Sequence, residues 1–272
     1  MKRQKLHEPH ILPLTQLVEK WKSETGLEIP YFDPDDGGVD AQLLLLFEKP
    51  GPSIFANNGS GFVSQDNKDG TAEAIKYFLH AEGIPRSKIL IWNAVVAWNG
   101  TRRIGPFERV SAPQHLTELL DALPRLKGIV QVGKEAEKIL GKVTMTARLS
   151  GYSITSSLHP SPINKNLRHS KWCEIPKIWA NAARLAKISW PSVMNDVIEF
   201  LSRKLDEEQQ MKIRTLSESD LIQSHRTLGQ WIRNELNLFN GNAELLKATG
   251  SRHPDDASAV IVEALWHHLQ SR

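Results

Sequence analysis

Short apolar runs punctuate the first two thirds of the chain, and segments of helical spacing separate them. Leu43–Phe47 is wholly apolar and is closed by Pro50 and Gly51. Lys88–Ala97 (KILIWNAVVA) and Gly128–Gly133 (GIVQVG) repeat the pattern, and Tyr152–Ser157 (YSITSS) reads as a fourth strand. Runs of this length between breakers predict strands buried on both faces. Apolar residues three and four apart predict helices over 11–27 (Leu14, Leu17, Val18, Trp21) and 71–83 (Ala72, Ile75, Phe78, Leu79). Further helices are predicted over 114–126, 134–140 and 175–187. Pro13 suits a first turn, and Gly26 and Gly83 suit helix ends. The alternation predicts an α/β fold, a mostly parallel four-stranded sheet flanked by helices.

From Ser189 the pattern turns helical throughout. It runs from Val193 to Leu201, then over Leu216–Leu238 and Ala257–Leu269. Two domains are therefore expected, 1–188 and a small all-α domain over 189–272. The stretch 48–70 differs from both, being rich in Gly, Asn and Ser and holding Phe55 and Phe62. Polar loops at the carboxyl end of a buried strand are where open α/β sheets bind ligands. Loops of this length are more often functional than idle.

Charge sharpens the division. Residues 1–188 carry 25 Lys and Arg against 19 Asp and Glu, whereas the rest carry nine against twelve. A mildly basic front and an acidic tail suit nucleic-acid binding by the first domain. A single cysteine, Cys173, excludes an internal disulfide, an all-cysteine zinc site and a protein-held iron–sulfur cluster. No run reaches the length of a membrane span. The basic N-terminus lacks an apolar signal core, so a cytoplasmic location is expected.

Three predicted strand ends carry side chains capable of chemistry: Glu48, Asn93 and His159. In a parallel sheet those ends lie along one edge, where one cleft can hold all three. Asn93 interrupts an apolar strand, and a buried amide must find partners. It either caps a neighbouring backbone or faces a ligand, and its one acceptor and two donors match the Watson–Crick edge of a pyrimidine. His159 precedes Pro160-Ser161-Pro162, which stiffens its loop. A rigidly held His suits the stabilisation of an oxyanion. The basic stretch Asn164–His169 suits phosphates.

The order of these motifs resembles the uracil-DNA glycosylase superfamily. Phe47-Glu48-Lys49-Pro50-Gly51 is similar to the Gly-Glu-Ala-Pro-Gly strand end of its bacterial and archaeal branches. Gly61-Phe62, Ile91-Trp92-Asn93 and Leu158-His159-Pro160-Ser161-Pro162 follow in the family's order, and the likeness covers residues 40–185. It implies that Phe62 stacks on an extruded base, that Asn93 reads the base's edge, and that His159 bonds its O2 as charge builds there. It implies that the loop Ser161–Lys165 presses into the duplex with Ile163 as wedge, while Lys165 and Arg168 meet phosphates. Enzymes of this kind flip the nucleotide out before cleavage. No cofactor is implied, and with one cysteine the chain falls with the branches that lack a cluster.

Two departures bear on chemistry. Lys49 stands where some branches have Asp or Asn to position the attacking water, which leaves Glu48, Asp66 and Asn67 as substitutes. Gly51 stands where the most uracil-strict branch has a Tyr that blocks substituents at C5. A pocket open there admits C5-modified pyrimidines, including modified cytosines of phage DNA, and Lys49 becomes a candidate donor to such a substituent. The expected activity is thus a monofunctional DNA glycosylase, with antiphage defence as the role. Ordinary uracil repair and a non-cleaving module that binds modified bases are the alternatives.

The tail resembles a small uncharacterised helical domain found at bacterial protein C-termini. It is a candidate site for a protein partner or a second chain. His253, Asp255 and Asp256 admit a metal reading, but Pro254-Asp255-Asp256-Ala257 is better explained as a helix start.

Overall fold

The computed structural model describes residues 2–55, 59–143, 149–188, 193–239 and 242–271. The middle of the long loop, 56–58, and the residues 189–192 that follow the expected domain junction lie outside the described set. The strands are Tyr31–Phe32 (β1), Leu43–Phe47 (β2), Phe62–Val63 (β3), Ile89–Asn93 (β4), Gly128–Val132 (β5) and Ser153–Ser157 (β6). Four of them form one parallel sheet in the order β4-β2-β5-β6. Leu43–Leu46 are completely buried because helices cover both faces, which is why this strand carries no polar alternation. The remaining two, β1 and β3, pair in parallel over two residues. So short a pair has no periodicity to read.

The helices of this unit are Leu12–Thr25 (α1), Gly70–Ala81 (α2), Pro106–Asp121 (α3), Lys134–Leu140 (α4), Pro162–Leu167 (α5) and His169–Leu185 (α6). Helix α1 stops where Gly26 turns to a φ of 66° and donates its N–H to Lys22. Helix α2 begins one residue earlier than predicted, capped by the Asp69 carboxylate, which accepts from the N–H groups of Thr71 and Ala72. Helix α3 starts well before the predicted Gln114, at Pro106, and runs through Pro113. The chain 94–97 leaves the sheet after Asn93 although it stays buried. Its N–H groups at Ala94 and Val95 bond to the carbonyls of Phe47 and Glu48.

Contacts divide the chain into two compact units, Met1–Ile188 and Ser189–Arg272, each with its own apolar core. In the second unit the helices are Met194–Lys204 (α7), Glu207–Arg214 (α8), Glu218–Ser224 (α9), Leu228–Glu235 (α10), Ala243–Ala248 (α11) and Pro254–Gln270 (α12). The single helix predicted over 216–238 is broken into two. His253 serves α12 as its N-cap, with Nδ1 accepting from the Asp255 N–H at 3.2 Å. Among the described residues no helix is long and apolar enough to cross a membrane.

Candidate active site

Strand register brings the expected residues to one edge. Phe47, the last residue of β2, pairs with Asn93, the last of β4. Glu48 follows directly, and His159 lies just past the end of β6. The His159 ring meets Phe47 edge-on, with centroids 5.3 Å apart. Phe47 therefore joins the end of β4 to the histidine loop, a position the sequence did not single out because an apolar residue ending an apolar run carries no signal.

Asn93 is only 5% exposed, and its side-chain amide makes no hydrogen bond among the described residues. An amide at a strand end with no protein partner keeps its two donors and one acceptor for a ligand. At His159 the polar atom is itself buried, which is costly unless a ligand completes it. The imidazole Nδ1 has no hydrogen-bond partner among the described residues. Burial pushes the imidazole pKa down to about 4, against the opposing pull of the Asp69 carboxylate. The ring is thus neutral at pH 7 and can donate a proton in a hydrogen bond without giving it up. Asn164 steadies the loop from below, its amide donating to the His159 carbonyl at 3.0 Å.

The other expected site residues have partners of their own. Glu48 Oε1 accepts the Glu135 N–H at 3.0 Å, capping α4 from outside, where the positive end of the helix favours a carboxylate. Gly133, at a φ of 98°, makes room for this, since a Cβ there would meet Glu48 Oε1 at 2.5 Å. Lys49 is buried and ion-paired with Glu108 at 2.6 Å. Its ammonium also donates to Asn99 Oδ1 at 2.7 Å and to the Arg103 carbonyl at 3.2 Å. An ammonium has three donors, and in this structure those of Lys49 brace the loop that follows Asn93.

Asp66 meets three cations: Arg86 at 2.7 Å, Lys2 at 3.0 Å and Lys76 at 3.0 Å. Burial opposes its ionisation, but these neighbours outweigh burial and hold its carboxyl well below the usual range. Asn67 uses both ends of its amide, donating to the Phe62 carbonyl at 3.0 Å and accepting from Ser60 Oγ at 2.7 Å. It fixes the segment that carries Phe62 rather than presenting itself to water. Phe62 is 3% exposed and has Tyr31 beside it at 6.0 Å, so the face it offers a base in this state is small.

One carboxylate beside His159 was missed. Asp69 spends Oδ1 on the cap of α2. The next residue, Gly70, lies so close to the histidine loop that a Cβ would meet Pro162 Cγ at 2.8 Å. The signal was present as an Asp before a helix, which suggests only a cap. Beyond this loop Ser161 caps α5, accepting from the Asn164 N–H at 3.3 Å. Ile163, Lys165, Leu167 and Arg168 are all exposed on that short helix and its end. Gly51 is extended, with φ −85° and ψ 160°, and an added Cβ would find only Ser53 Oγ, at 3.8 Å. Phe55 stacks on Trp98, with ring centroids 6.5 Å apart.

A family model described as the uracil DNA glycosylase superfamily matches residues 34–183. A second, described as a domain of unknown function (DUF6794), matches residues 190–269. A search of curated proteins finds no match to the chain.

Proposed function

The chain belongs to the uracil-DNA glycosylase superfamily, and on that premise we propose that it flips out a C5-modified pyrimidine and hydrolyses its C1′–N bond. The observation that carries this reading is the placement, on either side of Phe47, of the Asn93 side chain, which makes no hydrogen bond to a described residue, and of His159, whose buried Nδ1 has no partner among the described residues. Asn93 supplies both donors and an acceptor to the base edge. As the glycosidic bond breaks, its electron pair passes to the base, and His159 donates to O2 where that charge collects. Water bonds to C1′ of the cationic sugar and sheds a proton, leaving an abasic site. Asp66 and Asn67 are engaged elsewhere, while Glu48 and Asp69 each commit one carboxylate oxygen to a helix cap; this reading assigns the water to Asp69 because its charge acts on His159, with Glu48 as the alternative.

That assignment has its own test. Asp69→Asn keeps a good helix cap while removing the carboxylate. Base release is expected to slow at least tenfold, with melting and duplex affinity unchanged. A normal rate in this variant removes Asp69 from the mechanism. A second reading, a module that binds modified bases without cleaving, is favoured by the engagement of Asp66 and Asn67, two of the residues first expected to position water.

Substrate range rests on Gly51. Its ordinary backbone and open surroundings leave nothing at residue 51 to exclude a C5 substituent. Modified cytosines such as those of phage genomes then become the favoured substrates, and defence against phage the role. The test incubates the full chain with duplexes carrying uracil, thymine, 5-hydroxymethylcytosine or its glucosylated form. Released base and alkali-labile sites are measured. Gly51→Tyr is tolerated by the backbone, so it should fold and selectively abolish release of the bulky bases. Cleavage of uracil alone by the wild type, or an equal loss on every substrate in the variant, overturns the open-pocket argument. Binding without any release favours the non-cleaving module.

A further inference from the structure

At the opposite end of the same sheet edge from His159, an exposed aromatic and two free cations stand together. Phe107 is 90% exposed and Val110, one turn on, is 80% exposed. They lie in the opening turns of α3, directly after the loop 99–105 that follows Asn93 and the buried stretch 94–97. Arg102 and Arg103 in that loop are exposed, and neither guanidinium has a partner among the described residues. Arg86, Arg109 and Arg125 of the same unit are all ion-paired.

The segment is braced, not loose. Lys49, at the end of β2, bonds to Asn99 and to the Arg103 carbonyl and pairs with Glu108. Glu108 in turn accepts the Gly105 N–H at 2.7 Å, which holds the first turn of α3. Ile104 is buried and pins the loop from beneath. Phe107 and the two arginines are thus presented on a fixed platform, the condition under which an exposed ring binds without a large ordering cost.

The position suggests the occupant. The other end of the edge bears exposed Ile163 and Leu167 with Lys165 and Arg168. Strands lie about 4.8 Å apart, so β4 and β6 are separated by roughly 14 Å. One segment follows β4 and the other follows β6, and each sets an exposed apolar side chain beside exposed cations, near the strand ends that hold Asn93 and His159. Free arginines complement phosphates, and a ring among them suits an opened base stack.

We propose that residues 99–110 form a second DNA-binding arm, in which Arg102 and Arg103 hold phosphates on one side of the extruded nucleotide and Phe107 packs against the disturbed stack. The proposal rests on the glycosylase reading only for the placement of duplex across this edge.

The test uses the full chain and fluorescence anisotropy with two short duplexes, one intact and one with an uncleavable abasic analogue, at several salt concentrations. Phe107→Ala should lower affinity for the abasic duplex at least tenfold with the salt slope unchanged. Arg102→Ala with Arg103→Ala should weaken binding to both duplexes and reduce the slope by about two. All three side chains are exposed, so melting temperatures should match the wild type. Wild-type affinity in both variants overturns the proposal. So does a wild-type dimer dispersed by Phe107→Ala with DNA affinity intact, which would make the face a contact between copies. If the variants lose duplex affinity but the wild type releases no base, the arm stands and the glycosylase reading fails. If the wild type cleaves and the variants bind and cleave normally, the arm fails alone.

Discussion

His159→Ala is expected to slow base release at least a hundredfold while duplex affinity changes little. One donor aimed at a developing oxyanion contributes a factor of about 10²–10³ to turnover. The donor here is neutral because burial holds its pKa at about 4, so it can stabilise charge on O2 without transferring its proton. The wild-type rate should therefore not fall on account of this group between about pH 5 and 8. The same shift acts on stability. The folded ring has a pKa of about 4 against 6.5 for the free side chain. Folded protein thus binds fewer protons than unfolded between those values, and stability falls as pH drops through that window. The Ala variant should lose that part of the acid sensitivity. Single-turnover cleavage and melting at several pH values test the two claims separately. A normal rate in the variant removes His159 from the chemistry, and an unchanged acid profile removes its buried neutral state.

The strands were legible because burial on both faces leaves nothing but apolar side chains, and Leu43–Phe47 can hardly be read otherwise. The same property hid the end of β4. Val95, Val96 and Ala97 are as buried as the strand before them, although the chain has already left the ladder at Asn93. Pro113 masked the start of α3, since a proline suggests a first turn more readily than an interior position. Asn93 and His159 were legible because a polar side chain inside or just past an apolar run demands an explanation. Glu48, Lys49, Asp66 and Asn67 were legible as residue types but not as roles. Glu48, Lys49 and Asp66 are committed to partners distant in sequence, such as Glu135, Glu108 and Arg86, whereas Asn67 bonds within its own loop to Phe62 and Ser60. No local pattern announces the distant pairings, which only the fold brings together.

The largest stability effect is expected at Arg86, outside the pocket. Its guanidinium bonds to three carboxylates at once: Nη2 to Asp33 at 2.5 Å, Nε to Asp36 at 2.8 Å and Nη1 to Asp66 at 2.7 Å. Asp33 and Asp36 are buried, and Asp36 Oδ2 already lacks a partner among the described residues. Burial pushes the Asp36 carboxyl up to about 7 even with Arg86 beside it. Lys2 shares Asp33 and Asp66, but from the far side of the cluster it cannot replace a planar fork. Removing one member of a buried ion network leaves charge uncompensated and costs about 3–5 kcal/mol. Arg86→Met keeps the aliphatic packing and should lower the melting temperature of the first unit by roughly 6–20 °C. Arg86→Lys restores the charge but not the three-way geometry, so it should recover only part of the loss. A consequence for activity follows through Asp66 and Asn67, which anchor the two sides of the turn behind Phe62. Base release should weaken in Arg86→Met even well below its melting temperature, and more on substrates that depend on stacking. Calorimetry of the three proteins decides the matter, because equal melting by the Met and wild-type chains would make the network an ornament of the surface, and full recovery by Lys would show that charge alone suffices.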